Sequence, residues 1–141
     1  MEKRYKSGAH TVHRLVFHIV FRPKYRKRVL QFKLAHRLKE LLKQCCEVND
    51  WCIHELEVMP DHVHLLLQIN PKESIADVMH IIKGGSSKVI RDEFPELEEF
   101  LWGDKFWSEG YFVESVGKVA ETAVKQYIKQ QNKQAERDHG L

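Results

Sequence analysis

The stretch that most restricts the fold is residues 51–69, which predicts two strands joined by a tight turn. WCIHELEVM (51–59) and HVHLLLQI (62–69) are rich in β-branched, aromatic and leucine residues, and Pro60-Asp61 lies between them. Strands favour such residue types, and proline followed by aspartate is typical of a turn. The stretch is therefore predicted to be a β-hairpin, and its second strand carries two histidines one residue apart, His62 and His64.

The segments on either side of the hairpin alternate between strand and helix patterns. They predict a strand at 12–21, a helix at 30–48, a helix at 75–93, a short strand at 111–116 and a last helix at 118–135. Ser74 is a candidate N-cap for the second helix. Residues 96–110 are expected to be a loop and the tail QAERDHGL to be frayed. The order β-α-β-β-α-β is the ferredoxin-like split βαβ arrangement, an α+β fold in which helices cover one face of an antiparallel sheet, here with an extra C-terminal helix.

Length and composition point to one domain over residues 1–141. The chain has 141 residues, 43% of them hydrophobic, which is enough for one core. It contains no apolar run long enough for a transmembrane helix, and its charged start MEKRYKSGAH lacks the apolar stretch of a secretory signal. Cys45, Cys46 and Cys52 follow neither a disulfide nor a zinc-knuckle pattern. We therefore expect a cytoplasmic protein with reduced thiols and no membrane association.

The two histidines of the hairpin are predicted to share one face of the sheet. Alternate side chains of a strand point the same way, so His62, His64 and Leu66 face away from Val63, Leu65 and Leu67. The apolar set suits the helix-covered face. The histidines then lie on the other face with β-carbons about 7 Å apart, close enough to bind one metal ion together. Two histidines on a wet sheet face remain the simpler alternative, and a metal site would need a third ligand.

The last helix, VAETAVKQYIKQQNKQ (119–134), combines an apolar stripe with a polar residue. Tyr127 lies on the stripe, and Gln131 follows one turn later on the same helix face. Ordinary core packing of Tyr127 is the alternative interpretation. The stripe consists of Ala120, Val124, Tyr127 and Ile128, with Ala123 beside it.

Two segments carry the residues expected to contact DNA, although the net charge is only +3. The first, FRPKYRKR (21–28), interleaves basic and aromatic side chains, which suits phosphate contacts and base stacking; a solvated loop that keeps the protein soluble is an equally good interpretation of this run alone. The second, KGGSSK (83–88), offers point charges and hydroxyls to a DNA backbone; its glycines are equally consistent with a helix kink or tight packing. It lacks the spacing of a phosphate-binding P-loop, so no nucleotide cofactor is expected. The candidates are Arg22, Lys24, Tyr25, Arg26, Lys27, Arg28, Lys83, Ser86, Ser87 and Lys88.

Together these motifs resemble the small single-tyrosine HUH transposases, which move insertion sequences as single-stranded DNA. The resemblance covers nearly the whole chain and rests on five blocks in the family's order. Val63 meets the bulky hydrophobic position of the motif. The blocks are FRPKYRKRVL, MPDHVHLLLQI, the KGGSS-type segment, LWG (101–103) and VKQYIKQQ.

The resemblance implies a metal-dependent DNA strand transferase. Tyr127 would be the nucleophile that forms a 5′-phosphotyrosine link, while His62, His64 and Gln131 would hold Mg²⁺ or Mn²⁺. The partners implied are single-stranded DNA with hairpins near the element ends and a second copy of the chain, with active sites that can be shared between subunits. If a homodimer forms, Trp51 and Leu66 are candidates for its seam.

Three alternatives stay open on the sequence. One is a domesticated relative that processes repeated palindromic elements. Another is a non-catalytic nucleic-acid-binding ferredoxin-like module, although its aromatic RNA-binding signature is missing. The third is a metal-dependent hydrolase in which Tyr127 is a bystander.

Overall fold

The computed structural model describes residues 6–7 and 12–139 and contains the predicted split βαβ order. Two short strands, β1 (Lys6–Ser7) and β2 (Val12–His13), pair with each other. The main sheet has four antiparallel strands in the spatial order β4-β5-β3-β6. These are β3 (Leu15–Phe21), β4 (Cys52–Met59), β5 (His62–Ile69) and β6 (Phe112–Ser115). Four α-helices complete the fold: α1 (Phe32–Val48), α2 (Ile75–Glu93), α3 (Glu98–Leu101) and α4 (Lys118–His139).

One face of the sheet is buried under α1 and α2. Val63, Leu65 and Leu67 of β5 belong to this core and are fully buried, as strand alternation predicted. Leu38 of α1 and Ile82 of α2 are equally buried in the same cluster. Because strand alternation directs these apolar side chains to the helix-covered face, His62 and His64 are placed on the opposite face.

The opposite face is partly covered by α4, so it is less open than the sequence suggested. Leu66, next to the histidines on β5, packs with Val16 and with Ile128 of α4 in a small second cluster.

The N-cap of α2 is as predicted, since the backbone N–H of Asp77 donates to the Ser74 hydroxyl at 3.1 Å. That bond satisfies one of the N–H groups left unpaired at the start of a helix.

Two segments differ from the sequence prediction. The region 96–110 is not all loop, because a 3-10 turn (Pro95–Leu97) leads into α3, which ends where Trp102 and Gly103 adopt left-handed conformations. The tail from Gln134 is helical as far as His139, so the expectation of fraying is wrong up to that residue. Its glutamate and arginine are good helix formers, which accounts for the extension; the last two residues lie outside the described part.

The glycine pair of KGGSSK neither ends nor tightens α2. The helix runs through Gly84 and Gly85, and a β-carbon added at either position would meet no atom within 4 Å. Close packing therefore does not explain why glycines stand there.

Ser86, one residue further on, is buried and anchors a tryptophan. Its hydroxyl donates to the carbonyl of Ile82 at 2.7 Å and accepts from the indole N–H of Trp107 at 3.0 Å. We expect Ser86→Ala to lower the free energy of unfolding by about 1–3 kcal/mol, because it leaves a buried indole donor without an acceptor. Ser87→Ala is the matched control at a more exposed position and should change stability by less than about 0.5 kcal/mol. Urea unfolding of both variants tests this, and equal effects would contradict the structural role of Ser86.

Candidate active site

A cleft of about 750 Å³ lies between α4 and the sheet face that carries the histidines. The strands provide its floor and α4 one wall. Of the side chains that the resemblance implies for chemistry, His62, His64, Tyr127 and Gln131 all line it. The other lining residues are His18, Val20, Arg22, Arg26, Asp61, Phe112, Glu114, Ala123 and Val124.

The two histidines of β5 direct the same ring nitrogen toward each other. Their Nε2 atoms are 3.1 Å apart, and the ring planes are nearly perpendicular. The other ring nitrogen of His62, Nδ1, lies 2.7 Å from an Asp61 carboxylate oxygen. A carboxylate at Nδ1 favours the tautomer with the proton there, which leaves the lone pair of His62 Nε2 directed toward His64.

His64 is held in its neutral form. Burial first, and then the electrostatic influence of the neighbouring His62, His18 and Arg22, lowers its pKa from 6.5 to about 4. For Asp61, burial alone would raise the pKa, but the contact with His62 and the charges of Arg22 and Arg28 outweigh it, so that the pKa is lowered. A neutral imidazole beside an ionised carboxylate is the state that suits metal binding.

The two Nε2 atoms of His62 and His64 are spaced to bind one divalent cation, and a third ligand would complete the site. Two nitrogen donors at about 2.1 Å from an octahedral ion, at right angles, lie about 3.0 Å apart, close to the separation of the two Nε2 atoms. Within residues 6–7 and 12–139, no group of three His, Cys, Asp or Glu side chains is arranged to hold a metal. An amide oxygen is a suitable third ligand for a hard cation, and the Gln131 side chain lines the cleft.

Tyr127 of α4 lies next to the His62–His64 pair. Its ring meets the ring of His64 edge to face, with centroids 5.8 Å apart, and about half of the side chain is exposed. The predicted stripe of α4 is thus only partly a packing stripe: Ile128 is fully buried, while Ala120 is exposed. A tyrosine in a cleft, rather than in the core, remains accessible to a substrate.

A buried charged network that the sequence did not predict attaches α4 to the sheet. Glu121, in the first turn of α4, is only 4% exposed and pairs with Arg14, His54 and Lys125. Its position one turn before Val124 gave no signal, because glutamate is usually on the wet face of a helix. Buried pairing of this kind fixes where α4 lies, and with it the position of Tyr127.

The basic segment 22–28 forms one rim of the cleft. Tyr25 and Arg26 both adopt left-handed backbone conformations, which cost of order 1–3 kcal/mol each for such residues. Neighbouring groups hold this turn: Lys24 N–H donates to the carbonyl of Phe106, and the Tyr25 hydroxyl donates to Asp104 at 3.0 Å. Of the six candidates, Arg22 and Arg26 line the cleft. Lys24, Tyr25, Lys27 and Arg28 are not among the residues that line it.

None of the residues of the second predicted DNA segment lines the cleft of the histidines, and part of the segment is engaged within the fold. The ammonium of Lys83 donates to the carbonyls of Ser108 and Gly110 at 2.9 and 2.6 Å, and burial lowers its pKa. Ser86 is buried, as described above, whereas Lys88 is exposed. Lys83 and Ser87 line a separate cleft of about 320 Å³.

Comparison with known proteins places the chain in a family. The family model described as "Transposase IS200 like" matches residues 11–131. This chain belongs to the IS200-like transposase family. It is 35% identical to the ISDra2 transposase TnpA of Deinococcus radiodurans over 127 residues, which cover 90% of this chain and 91% of the relative. It is 39% identical to the transposase for insertion sequence element IS200 of Salmonella typhimurium, covering 89% of this chain and 82% of the relative.

Solved structures agree on the fold. A crystal structure of a transposase from Deinococcus radiodurans superposes with a TM-score of 0.74 at 35% identity, over 90% of this chain and 98% of the other. A REP-associated tyrosine transposase bound to a REP hairpin gives a TM-score of 0.65 at 12% identity, over 99% and 73% of the two chains. At that identity the second comparison supports the shared fold alone.

Three cleft residues of this IS200-like transposase were missed by the sequence interpretation. His18 lies on β3, Glu114 lies opposite it on β6, and Asp61 lies in the hairpin turn. His18 is separated from His64 by 46 positions, and only the strand register brings their ring nitrogens to 3.2 Å. Asp61 was interpreted as a turn residue. A signal for His18 existed in the sequence, since it alternates onto one face of a predicted strand, but its partner strand could not be assigned.

The lowered pKa of His64 predicts a pH-dependent stability for the metal-free transposase. In the unfolded chain this imidazole titrates near 6.5, whereas in the fold its pKa is about 4. Between those values the unfolded state binds more protons, so stability falls as pH drops from about 6.5 toward 4, with a slope that approaches about 1.4 kcal/mol per pH unit for this one group. Unfolding free energies measured across this range should show a smaller slope in His64→Gln; an unchanged slope would contradict the assignment.

None of the helices in the described part of the chain is long and apolar enough to cross a membrane.

Proposed function

We propose that this transposase cleaves and rejoins single-stranded DNA through a covalent link between Tyr127 and a 5′-phosphate. The observation that carries the proposal is the common cleft of Tyr127 and the His62–His64 pair, with the rings of Tyr127 and His64 in edge-to-face contact at 5.8 Å. A nucleophile must lie beside the groups that stabilise charge on the reacting phosphate. Tyr127 lies beside the His62–His64 pair, and its half-exposed side chain is accessible to a substrate.

The chemistry is a balanced transesterification. The phenol of Tyr127 loses its proton, and its oxygen attacks the phosphorus of the scissile diester. A new bond joins the Tyr127 oxygen to the 5′-phosphate, the bond from phosphorus to the 3′-oxygen breaks, and that oxygen takes up a proton to become a free 3′-OH. A 3′-OH of another strand can then attack the link, release Tyr127 and restore a phosphodiester. The number of phosphate ester bonds is constant, so no nucleotide hydrolysis is needed.

The chain's own residues would prepare the site for a divalent ion. His62, His64 and Gln131 would hold Mg²⁺ or Mn²⁺, with Asp61 orienting His62 through its Nδ1 contact. When bound, the ion would supply Lewis-acid polarisation of the scissile phosphate. A tyrosine hydroxyl becomes a strong nucleophile when a base removes its proton or positive charge lies nearby, and Arg22 and Arg26 bring positive charge to the same cleft.

DNA would reach the cleft along the basic rim. Arg22 and Arg26 are placed to contact the phosphates next to the reacting one, and exposed Tyr25 offers an aromatic face to an unpaired base. Lys24, Lys27 and Arg28 extend the same rim, while Ser87 and Lys88 are further contacts on α2. We propose that hairpins near the element ends are recognised by these segments. In this interpretation residues 1–141 act as one HUH transposase domain.

The sequence alternatives are weaker in light of the family. A non-catalytic nucleic-acid-binding module has no need of converging imidazoles on its sheet face. A hydrolase with Tyr127 as a bystander does not account for a tyrosine in the cleft that meets His64. A domesticated relative acting on repeated palindromes would use the same chemistry, and only the fold is shared with the solved REP-associated protein.

We also propose that the transposase works as a homodimer whose active sites can be shared between subunits. In the single chain, α4 covers its own sheet and brings Tyr127 to its own His64. Trp51 and Leu66 are wrong candidates for a dimer seam, because Leu66 is fully buried against α4 and the indole N–H of Trp51 donates to Glu73 at 2.8 Å. A strictly monomeric mass by light scattering at micromolar concentration would contradict the dimer.

The proposed reaction can be detected directly. The purified chain is incubated with Mg²⁺ or Mn²⁺ and a set of single-stranded DNAs that carry hairpins, then separated on a denaturing gel. We expect a covalent protein–DNA adduct and a released strand with a 3′-OH. Chelation with EDTA should abolish the adduct, and added Mn²⁺ should restore it. If no adduct forms with a wide set of hairpin substrates, or if it forms equally well in EDTA, the proposed metal-dependent reaction is wrong.

A further inference from the structure

A third histidine, His18, contacts the buried member of the pair. Its Nε2 lies 3.2 Å from Nδ1 of His64, and the two rings are nearly parallel, with centroids 5.5 Å apart. Both side chains are buried: His18 is 7% exposed and His64 4%. Neither the family resemblance nor the pattern of the last helix implies a role for His18.

On the side away from His64, the ring of His18 faces a carboxylate. In the strand ladder it lies directly opposite Glu114 of β6, and its Nδ1 is 3.5 Å from a carboxylate oxygen of that residue. The site therefore contains a row of side chains with a carboxylate at each end: Asp61, His62, His64, His18 and Glu114.

In one arrangement of protons along this row, neither Nε2 of His62 nor Nε2 of His64 carries a proton, so both can bind a metal. Glu114 favours the tautomer of His18 with its proton on Nδ1, because a negatively charged carboxylate oxygen 3.5 Å away attracts an N–H there. Nε2 of His18 is then an acceptor, so Nδ1 of His64 must carry the proton and donate to it. His64 Nε2 is left with its lone pair, as His62 Nε2 is on account of Asp61. His18, Glu114 and Asp61 would hold this arrangement in the metal-free protein against the repulsion of two lone pairs 3.1 Å apart, and a cation bound between them would relieve that repulsion.

We infer that His18 is a positioning residue for the metal site. It accepts a hydrogen bond from His64 Nδ1–H, and Glu114 orients His18. Together they fix the tautomer and the ring orientation in which His64 Nε2 faces a divalent cation. The inference rests on the proposed metal site of His62 and His64. Ligating histidines in proteins commonly donate their second N–H to a carboxylate or another acceptor, and loss of that partner costs about 10–100-fold in metal affinity or activity. Here the acceptor is a second imidazole, itself backed by a carboxylate on the neighbouring strand.

The tautomer of His64 can be read without changing the protein. Long-range ¹H–¹⁵N spectra of the metal-free, ¹⁵N-histidine-labelled full chain above pH 7, assigned with His64→Gln, distinguish a protonated Nδ1 from a protonated Nε2. We expect His64 to carry its proton on Nδ1. A proton on Nε2 would overturn the inference, whatever the variants show.

Metal affinity then tests the role of His18. Titration calorimetry with Mn²⁺ alone should show about 10–100-fold weaker binding for His18→Leu, which has no acceptor. His18→Gln places an amide oxygen near the position of Nε2 and should recover most of the affinity. Glu114→Ala should cause a smaller loss, because its contact is longer and half-exposed. His36→Leu, which changes an exposed histidine of α1, is the matched control and should bind as the wild type does.

The outcomes separate this inference from the proposed function. If His64→Ala loses Mn²⁺ binding while His18→Leu binds normally, His18 is only a packing residue and the inference is wrong, although the metal site stands. If neither variant alters Mn²⁺ binding, the metal site fails and the inference fails with it. Circular dichroism reports whether His18→Leu folds. Should it not fold, the tautomer of His64 decides: a proton on Nδ1 supports the inference, and a proton on Nε2 overturns it.

Discussion

Tyr127→Phe is expected to abolish the covalent protein–DNA adduct, with a loss of cleavage of about three orders of magnitude or more. The substitution removes one oxygen, and with it the proposed nucleophile, while the ring that packs edge to face on His64 is kept. Losses of that size are typical when an enzyme's nucleophile is removed. Because Tyr127 is half-exposed and packs mainly through its ring, we expect the stability of the variant to stay within about 0.5 kcal/mol of the wild type.

The matched control is Tyr111→Phe, the same change at a tyrosine outside the cleft. Tyr111 packs against the main core, and its ring lies 5.4 Å from the ammonium of Lys83. Adduct yield is measured on a denaturing gel with end-labelled hairpin DNA and Mg²⁺, after circular dichroism has confirmed that both variants are folded. An adduct that survives Tyr127→Phe would show that another residue attacks the phosphate, and one lost in both variants would indicate a general effect on DNA binding.

His64→Ala is the second change with a large expected effect. It removes the more buried imidazole of the pair, so we expect cleavage to fall by more than about 100-fold, the upper end of the loss seen when only a partner of a metal ligand is removed. Binding of hairpin DNA should be retained within a few-fold, since the basic rim of Arg22 and Arg26 is unchanged. Cleavage is followed on gels, and binding by fluorescence anisotropy with the same labelled hairpin in EDTA.

Two comparisons make the result specific. His36→Ala changes an exposed histidine on α1 and should leave both cleavage and binding intact. Thermal unfolding measures how much stability His64→Ala loses through the cavity that the missing ring leaves among buried side chains. Parallel loss of cleavage and hairpin binding, in a folded protein, would mean that His64 supports the DNA surface and is not a metal ligand.

Much of the fold could be predicted because local patterns and packing agree. On β5, the alternation of Val63, Leu65 and Leu67 with His62 and His64 predicted both which face is buried and where the imidazoles lie, and the structure has that arrangement. Ser74 caps α2 as its position before an apolar-periodic segment indicated. The family resemblance, drawn from five blocks of sequence, is confirmed by the match over residues 11–131.

The rest depends on contacts between residues that are distant in the chain. The strand register decides that His18 meets His64 and Glu114, and no local pattern contains the register. The burial of Glu121 depends on Arg14, which lies just before β3, and on His54 of β4, both far from it in the chain. Likewise, Ser86 of the KGGSSK segment was a candidate for DNA because of its hydroxyl. Its bond to Trp107, 21 positions away, could not be predicted from local sequence. The catalytic role of Tyr127, the metal ligands and the DNA contacts stay predictions.

The central claim is that Tyr127 becomes covalently joined to DNA beside the His62–His64 pair. Its most direct test is mass spectrometry of the adduct formed with Mg²⁺ and single-stranded hairpin DNA, after digestion with nuclease and protease. We predict a residual nucleotide attached through a 5′-phosphate to the α4 peptide that contains Tyr127, with fragment ions assigning it to that side chain. Attachment to any other residue would contradict the account.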